Sequence, residues 1–221
     1  MEEMETDVMP ECLISFVDSG TVESHRYFLA RRTLLEMLRD RGFPIPDDDL
    51  AISLPAFRAR FGDNPKLEDL RISTTIPSNP PKKLLVIFCG IEPFKLSTVR
   101  EIYSWVSKEH LTGLILVLQS KMTSKARELT EEIFKFRLEI FQITELLVNI
   151  TKHVLKPRHV LLAAEEKEKL IAKYNVEDIQ LPRMLKSDAV VRYYGFEKGQ
   201  VVKVTYNGEL TGHHETYRCI V

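Results

Sequence analysis

Residues 84–88 read Leu-Leu-Val-Ile-Phe, and residues 114–118 read Leu-Ile-Leu-Val-Leu. Both runs are apolar at every position, which is typical of strands that are covered on both faces of a parallel sheet. Between them, apolar residues recur at helical spacing from Val99 to Val106, after a helix start at Ser97. This stretch predicts a strand, a helix and a second strand in parallel.

The same pattern repeats once towards the C-terminus. Thr123 is predicted to begin a second helix, and residues 137–143 a third strand. Upstream, Ser24 is expected to cap a helix that ends at Gly42, and a shorter helix is expected from Ser53. Together these elements predict an N-terminal α/β lobe with a mostly parallel sheet and flanking helices.

The last third of the chain has a different pattern. A helix is predicted over residues 163–174, followed by a short helix that Ser187 or Asp188 caps. Residues 200–206 are expected to pair with residues 215–220 as a β-hairpin. The prediction for this part is a small, mixed α+β domain that ends in a hairpin, so the whole chain is predicted to be α+β.

The charge distribution suggests where the domains begin and end. The 221 residues contain 31 Lys and Arg against 32 Asp and Glu, so no global basic field would hold the chain on nucleic acid by itself. Residues 1–23 contain acidic but no Lys or Arg side chains. We therefore predict an acidic, flexible leader over residues 1–23. The change of pattern after the third strand then predicts an N-terminal domain over residues 24–144 and a C-terminal domain over residues 145–221.

The cysteines and the N-terminus indicate the compartment. Cys12, Cys89 and Cys219 are odd in number and far apart, which argues against a disulfide framework and fits a reducing environment. The first residues are acidic, where a secretory signal would be basic. No apolar run approaches the roughly 18 residues that a membrane span requires. A cytosolic or nuclear protein without a membrane partner is expected.

No motif predicts catalysis. The loop at residues 89–93 follows a strand but lacks the glycine spacing that wraps a phosphate. His213 and His214 are adjacent on a strand and point to opposite faces, so they could not readily share a metal ion. We predict no catalytic residue, no metal, no cofactor and no small-molecule substrate. A small α/β nuclease or transferase remains the alternative from another class.

Two sets of basic side chains could each be either an interaction surface or ordinary solvated charges. Residues 121–127 read Lys-Met-Thr-Ser-Lys-Ala-Arg and lead from a parallel strand into a helix, so they could contact a phosphate backbone or form a solvated helix start. The cations of the last forty residues could be scattered surface charges or an interface set that binds carboxylates and carbonyls; they include Arg183, Arg192, Lys203 and Arg218.

Several motifs resemble one family. They are Glu-Leu-Leu-Val-Asn-Ile-Thr-Lys-His at residues 145–153, Leu-Pro-Arg at 181–183, Arg-Tyr-Tyr-Gly at 192–195, Gly-Gln-Val-Val-Lys at 199–203 and, more weakly, Arg-Asp-Arg-Gly at 39–42. With these motifs the chain resembles the fifth subunit of eukaryotic nuclear RNA polymerases, a family that is similar to a small subunit of archaeal polymerases.

The resemblance implies a noncatalytic, nuclear polymerase subunit with two lobes. It implies that an N-terminal jaw lobe contacts downstream DNA, for which the candidate residues are Lys121, Thr123, Lys125 and Arg127. It also implies that a C-terminal assembly domain anchors the chain to the largest subunit, beside other polymerase subunits. The candidate residues for assembly are Arg183, Arg192, Tyr193, Gln200, Lys203 and Arg218.

Departures from the family pattern indicate a paralogue. Ala189 stands where the family usually has Pro after Asp188, residues 206–214 form an unusual turn, and the jaw loop at residues 123–126 lacks its usual Pro. In these respects the chain is similar to the divergent plant copies that serve RNA polymerase V in RNA-directed DNA methylation. The alternatives are a common subunit of RNA polymerases I, II and III, and a free-standing DNA-binding module.

Overall fold

The computed structural model describes residues 20–208 and 212–221, which form two lobes with one four-stranded sheet each. The N-terminal lobe contains α1 (Val22–Asp40), α2 (Asp47–Ala51), α3 (Leu54–Phe61), β1 (Ile72–Ile76), β2 (Lys82–Phe88), α4 (Leu96–Val106), β3 (Gly113–Leu118), α5 (Ser124–Ile133) and β4 (Arg137–Gln142). The C-terminal lobe contains β5 (Arg158–Leu161), α6 (Ala164–Tyr174), β6 (Arg183–Met184), α7 (Ala189–Tyr194), β7 (Val201–Gly208) and β8 (Gly212–Ile220). Two 3₁₀ turns, Ile143–Leu146 and Ile150–Lys152, join the lobes, and a third, Asp178–Gln180, precedes β6.

The N-terminal sheet has the order β1-β2-β3-β4. The pairs β2–β3 and β3–β4 are parallel, which confirms the predicted strand–helix–strand core. The antiparallel edge strand β1 was not predicted. Its centre is Ser73-Thr74-Thr75, and such a short polar run on an edge lacks the apolar signal that marks the buried strands.

The sheet lies between two helical layers because its central strands are apolar on both faces. Val86 and Phe88 belong to the core on the side of α1 and α3. Leu85 and Ile87 belong to a second core, on the side of α4 and α5. Alternate residues of one strand therefore fill both cores, as the pleat requires.

The first helix begins earlier than the sequence predicted. Thr21 is the N-cap, since its side-chain oxygen accepts a hydrogen bond from the Ser24 amide at 3.2 Å. Ser24 was therefore the wrong cap: it lies buried inside α1, where its hydroxyl donates to the Thr21 carbonyl at 2.8 Å. The helix ends as expected before Gly42, whose φ of 87° favours glycine. Residues 1–19, most of the predicted leader, lie outside the described residues.

The second predicted helix is confirmed as α3, with Ser53 as its cap. The short helix α2 was not predicted. It consists of Asp47-Asp48-Asp49-Leu50-Ala51, which is too short to show an apolar period. Its three acidic residues suit the positive end of the helix dipole.

The C-terminal sheet has the order β5-β7-β8-β6. The predicted hairpin is confirmed by the antiparallel pair β7–β8, whose register runs from Val201 opposite Cys219 to Gly208 opposite Gly212. The tip of its turn, residues 209–211, lies outside the described residues. Asp188, one of the two caps that the sequence left open, accepts hydrogen bonds from the first amides of α7.

The two faces of this sheet have separate small cores. Val202 and Val204 pack with Val191 of α7. Val201 and Cys219 pack with Leu170 of α6. The predicted α+β class, with a mostly parallel jaw sheet and a mixed C-terminal lobe, is confirmed.

Candidate interaction surfaces

The lobe junction, where α7 and residues 145–153 contact α1 and β4, depends on Arg41. Its Nη1 and Nη2 donate to Glu139 Oε1 and Oε2 at 2.9 and 2.7 Å. Its Nη2 also donates to the carbonyl of Arg192 at 2.7 Å, and its Nε donates to the carbonyl of Tyr193 at 2.8 Å. The Arg41 side chain is only 7% exposed. One arginine thus satisfies carbonyls at the end of α7 and a carboxylate on β4.

A second arginine crosses the junction in the opposite direction. Arg192 of α7 donates from Nη1 to Glu145 Oε1 at 2.8 Å and from Nη2 to the carbonyl of Ile140 at 2.5 Å. Its guanidinium lies 4.4 Å from the centre of the Phe141 ring. Two donors of this predicted docking residue are therefore used within the chain, and its role in docking stays a prediction.

Tyr193, another predicted docking residue, is 4% exposed and belongs to the core beneath α1. Its hydroxyl donates to Asp40 at 2.8 Å and accepts from the Asn149 amide at 3.2 Å. Burial raises the pKa of Tyr193 well above its ordinary value, so the phenol stays protonated and remains a donor. Its side chain joins the lobes and is not available at the surface.

A buried carboxylate on α1 holds the connecting segment. The Asn149 amide donates to Glu36 Oε2 at 2.7 Å, and Lys152 Nζ pairs with the other oxygen of Glu36. Burial alone would raise the pKa of Glu36, but the hydrogen bonds from Asn149 and Lys152 hold it below its ordinary value. The motif at residues 145–153 thus serves in part to fasten the connecting segment to α1.

Three further docking candidates, Arg183, Lys203 and Arg218, lie on the C-terminal sheet, on different faces. Strand register places Arg183 opposite Cys219 and Lys203 opposite Tyr217, on the face that packs against α6. Arg218 lies opposite Val202, on the other face. Lys203 pairs with Glu215 at 2.6 Å. Within the described part of the chain, Arg183 and Arg218 have no ion pair of their own.

Gln200 closes the turn before β7. Its side-chain oxygen accepts from the Glu197 amide at 2.8 Å, and its carbonyl accepts from the Ile220 amide at 2.9 Å. Gly199 beside it has a φ of 85°, which the turn requires. The side chain of Gln200 therefore orders the turn between α7 and the hairpin.

The four DNA-contact candidates do lie together, at the carboxyl edge of the N-terminal sheet. Thr123 caps α5, because its hydroxyl oxygen accepts from the Ala126 amide at 3.3 Å. Lys121, Lys125 and Arg127 are exposed, and among the residues that the structure describes they have no ion-pair partner. Met122 bridges to Phe94, which places the start of α4 beside the start of α5.

Comparison with known proteins identifies the family. The profile of RNA polymerase Rpb5, N-terminal domain, matches residues 21–106, and that of RNA polymerase Rpb5, C-terminal domain, matches residues 148–220. DNA-directed RNA polymerase V subunit 5A of Arabidopsis thaliana is 51% identical over 95% of this chain and 94% of its own length. The chain belongs to the RNA polymerase Rpb5 family.

Further relatives of this Rpb5-family chain cover a range of sequence identity. The Arabidopsis thaliana protein named DNA-directed RNA polymerases IV and V subunit 5B is 49% identical over 92% of this chain and 94% of its own length. A Caenorhabditis elegans subunit named for RNA polymerases I, II and III is 35% identical over 90% of this chain and 98% of its own length. These matches confirm the family that the sequence motifs predicted.

The Rpb5-family chain also exposes a surface that was not predicted. Large apolar side chains lie exposed along residues 148–161, which we call the exposed apolar segment; they are Val148, Val154, Leu155, Val160 and Leu161. A sequence signal was available, because no Asp or Glu occurs from residue 146 to residue 164. The family motif at residues 145–153 overlaps this segment, but a motif match does not indicate which side chains are exposed.

Neither a membrane-spanning helix nor a metal cluster occurs within residues 20–208 and 212–221. No helix of these residues is long and apolar enough to cross a membrane. No group of three or more His, Cys, Asp or Glu side chains among them is placed to hold a metal ion.

Proposed function

We propose that this Rpb5-family chain is a noncatalytic subunit of a nuclear DNA-directed RNA polymerase. Its C-terminal assembly domain, residues 145–221, anchors it to the largest subunit beside other polymerase subunits. Its jaw domain, residues 24–144, contacts downstream DNA in the assembled enzyme. The observation that carries the proposal is the match to named polymerase subunits over 95% of the chain.

The geometry agrees with a structural role. The polar cluster at the lobe junction consists of arginines paired with carboxylates and main-chain carbonyls. Such paired groups fix one domain against another, whereas catalysis would require a nucleophile or base aimed at an open site. Nucleotide addition then belongs to the partner subunits.

The polymerase we propose is RNA polymerase V of plants, acting in RNA-directed DNA methylation. Relatives that are 51%, 49% and 46% identical are named as subunits of polymerase V or of polymerases IV and V. The relatives named for polymerases I, II and III are 35% identical. A common subunit of polymerases I, II and III is the second candidate, which these relatives support.

The proposed DNA contact uses the carboxyl edge of the jaw sheet. Lys121, Lys125 and Arg127 surround the first turn of α5, where free amides and the helix dipole favour an anion. These cations are modest in number. A subunit held in a large complex requires little intrinsic affinity for DNA, because tethering raises the local concentration.

Two paired variants test this assignment. The double variant Lys125→Ala, Arg127→Ala should lower DNA crosslinking to this subunit in the assembled polymerase. A plot of the logarithm of the polymerase's affinity for DNA against the logarithm of salt concentration should become less steep by about 2. The double variant should not release the subunit from purified polymerase. The control double variant, Lys82→Ala, Lys108→Ala, removes one exposed cation at the start of β2 and another just after α4, both far in the fold from the carboxyl ends of the strands, and should leave the crosslinking unchanged. Equal effects of both double variants would contradict the jaw assignment.

A further inference from the structure

We propose that the open edge of β5 receives an extended segment of the largest polymerase subunit by β-strand addition, and that this segment carries both apolar and acidic residues. The inference rests on the proposed function and specifies how the assembly domain docks. The edge of β5 includes none of the predicted docking residues, although Val160 lies opposite one of them, Lys203, in the strand register.

The hydrogen-bond ladder shows which amides of β5 are open. The Leu162 amide donates to the carbonyl of Val201 at 3.0 Å. In an antiparallel pair such bonded positions alternate along the strand. The main-chain amide and carbonyl of Val160 therefore also point towards β7. The amides and carbonyls of His159 and Leu161 then point away from β7. Because β5 is the end strand of its sheet, these groups face outward.

The side chains around this edge are unusually apolar for a free surface. Val154 is 92% exposed, Leu155 is 82% exposed, and Val160 and Leu161 are about two-fifths exposed. Edge strands that must stay unpaired usually carry charges, bulges or prolines. Pro157 and Arg158 have this character at the start of β5, whereas Val160 and Leu161 in its second half do not. An edge with outward amides whose second half is apolar, and which follows the exposed Val154 and Leu155 in the chain, fits a surface that a partner covers.

The charge of the region selects the partner. Residues 146–164 contain three Lys or Arg side chains and no acidic one. Lys152 is neutralised by Glu36, whereas Arg158 is exposed and has no ion pair within the described residues. Two copies of this edge would bring like charges together, so self-pairing is disfavoured. An acidic, apolar strand from a different subunit is complementary in both respects.

Hydrogen exchange provides the direct test. In the isolated full-length chain, the amides of His159 and Leu161 should exchange much faster than those of Val160 and Leu162. In purified polymerase, His159 and Leu161 should become protected by about tenfold or more, because ladder bonds suppress exchange. Unchanged fast exchange at both residues in the polymerase would overturn the proposal.

Variants separate the main-chain contact from the side chain. Leu161→Pro removes an outward amide that β7 does not use, and the preceding Val160 is already extended, as a residue before proline must be. Leu161→Ala removes most of the side chain but keeps the amide. We expect Leu161→Pro to lower copurification of the largest subunit by about tenfold more than Leu161→Ala does. Equal losses would contradict strand addition.

A second pair guards against misfolding. Leu155→Asp alters a side chain that is almost fully exposed, so the fold should persist while copurification of the largest subunit falls. The control Ile91→Asp places the same charge at an exposed apolar site on the jaw and should leave copurification unchanged. Normal copurification of Leu155→Asp would overturn the proposed surface. A dimer of the isolated chain that Leu155→Asp abolishes would replace the proposed partner with a second copy. Failure of the wild-type chain to copurify with polymerase would overturn the proposed function itself.

Discussion

At the scale of single residues, Arg41 and Asp40 explain why the Arg-Asp-Arg-Gly stretch at residues 39–42 matters. Asp40 accepts the hydrogen bond of the Tyr193 hydroxyl, and Arg41 binds Glu139 together with the last carbonyls of α7. Asp40 is the last residue of α1 and Arg41 is its C-cap, directly before Gly42. The stretch therefore joins the N-terminal lobe to the C-terminal lobe.

Replacing Arg41 by alanine should destabilise the chain by about 3 kcal/mol, because it leaves Glu139 with one partner fewer, the Tyr193 carbonyl without its donor, and the Arg192 carbonyl with only the Gly195 amide. Equilibrium urea unfolding measures this loss. The control Arg39→Ala, two residues earlier and exposed, should change the free energy of unfolding by less than about 0.5 kcal/mol. A stable Arg41→Ala protein would contradict the role assigned to the junction.

Residue types alone could not separate these roles. Arg192 and Tyr193 were predicted as docking residues, which stays a prediction, and the structure adds that their side chains join the two lobes. Arg183 was predicted for the same reason and lies exposed on β6. The difference arises from long-range packing: Arg192 contacts residues 47 and 52 positions away, which no local pattern encodes.

At the scale of elements, prediction succeeded where a periodic apolar pattern or a cap was present. The buried strands β2 and β3 and the helices α4 and α5 follow from their own residues. The edge strand β1 was missed because its pairing with β2 compensates for a polar sequence. The open edge of β5 was also missed, since an unpaired edge is defined by sheet order and not by the strand itself.

The cap of α7 gives a test at this scale. Asp188 Oδ1 accepts from the Val190 amide at 2.8 Å and from the Val191 amide at 3.4 Å. Asp188→Ala should therefore cost about 1 kcal/mol of stability. Ser187→Ala, which removes the neighbouring candidate that the sequence left open, should cost less than about 0.5 kcal/mol. The reverse order in urea unfolding would show that the cap was assigned to the wrong residue.

At the scale of the whole molecule, the two surfaces that we propose belong to different lobes. The cations of the jaw edge lie at the start of α5, and the exposed apolar segment lies in the C-terminal lobe and the turns before it. The lobe junction fixes one lobe against the other through Arg41, Arg192 and Tyr193. Docking by the C-terminal lobe would therefore also orient the jaw.

The central claim is that this chain is a subunit of a nuclear RNA polymerase. The most direct test is to purify the tagged full-length chain from nuclei of its own organism and to identify the copurifying proteins by mass spectrometry. We predict that the largest subunit of RNA polymerase V is recovered in comparable amount to the tagged chain, together with other polymerase subunits. Recovery of the largest subunits of polymerases I, II and III instead would favour the common-subunit alternative, and recovery of no polymerase subunit would contradict the claim.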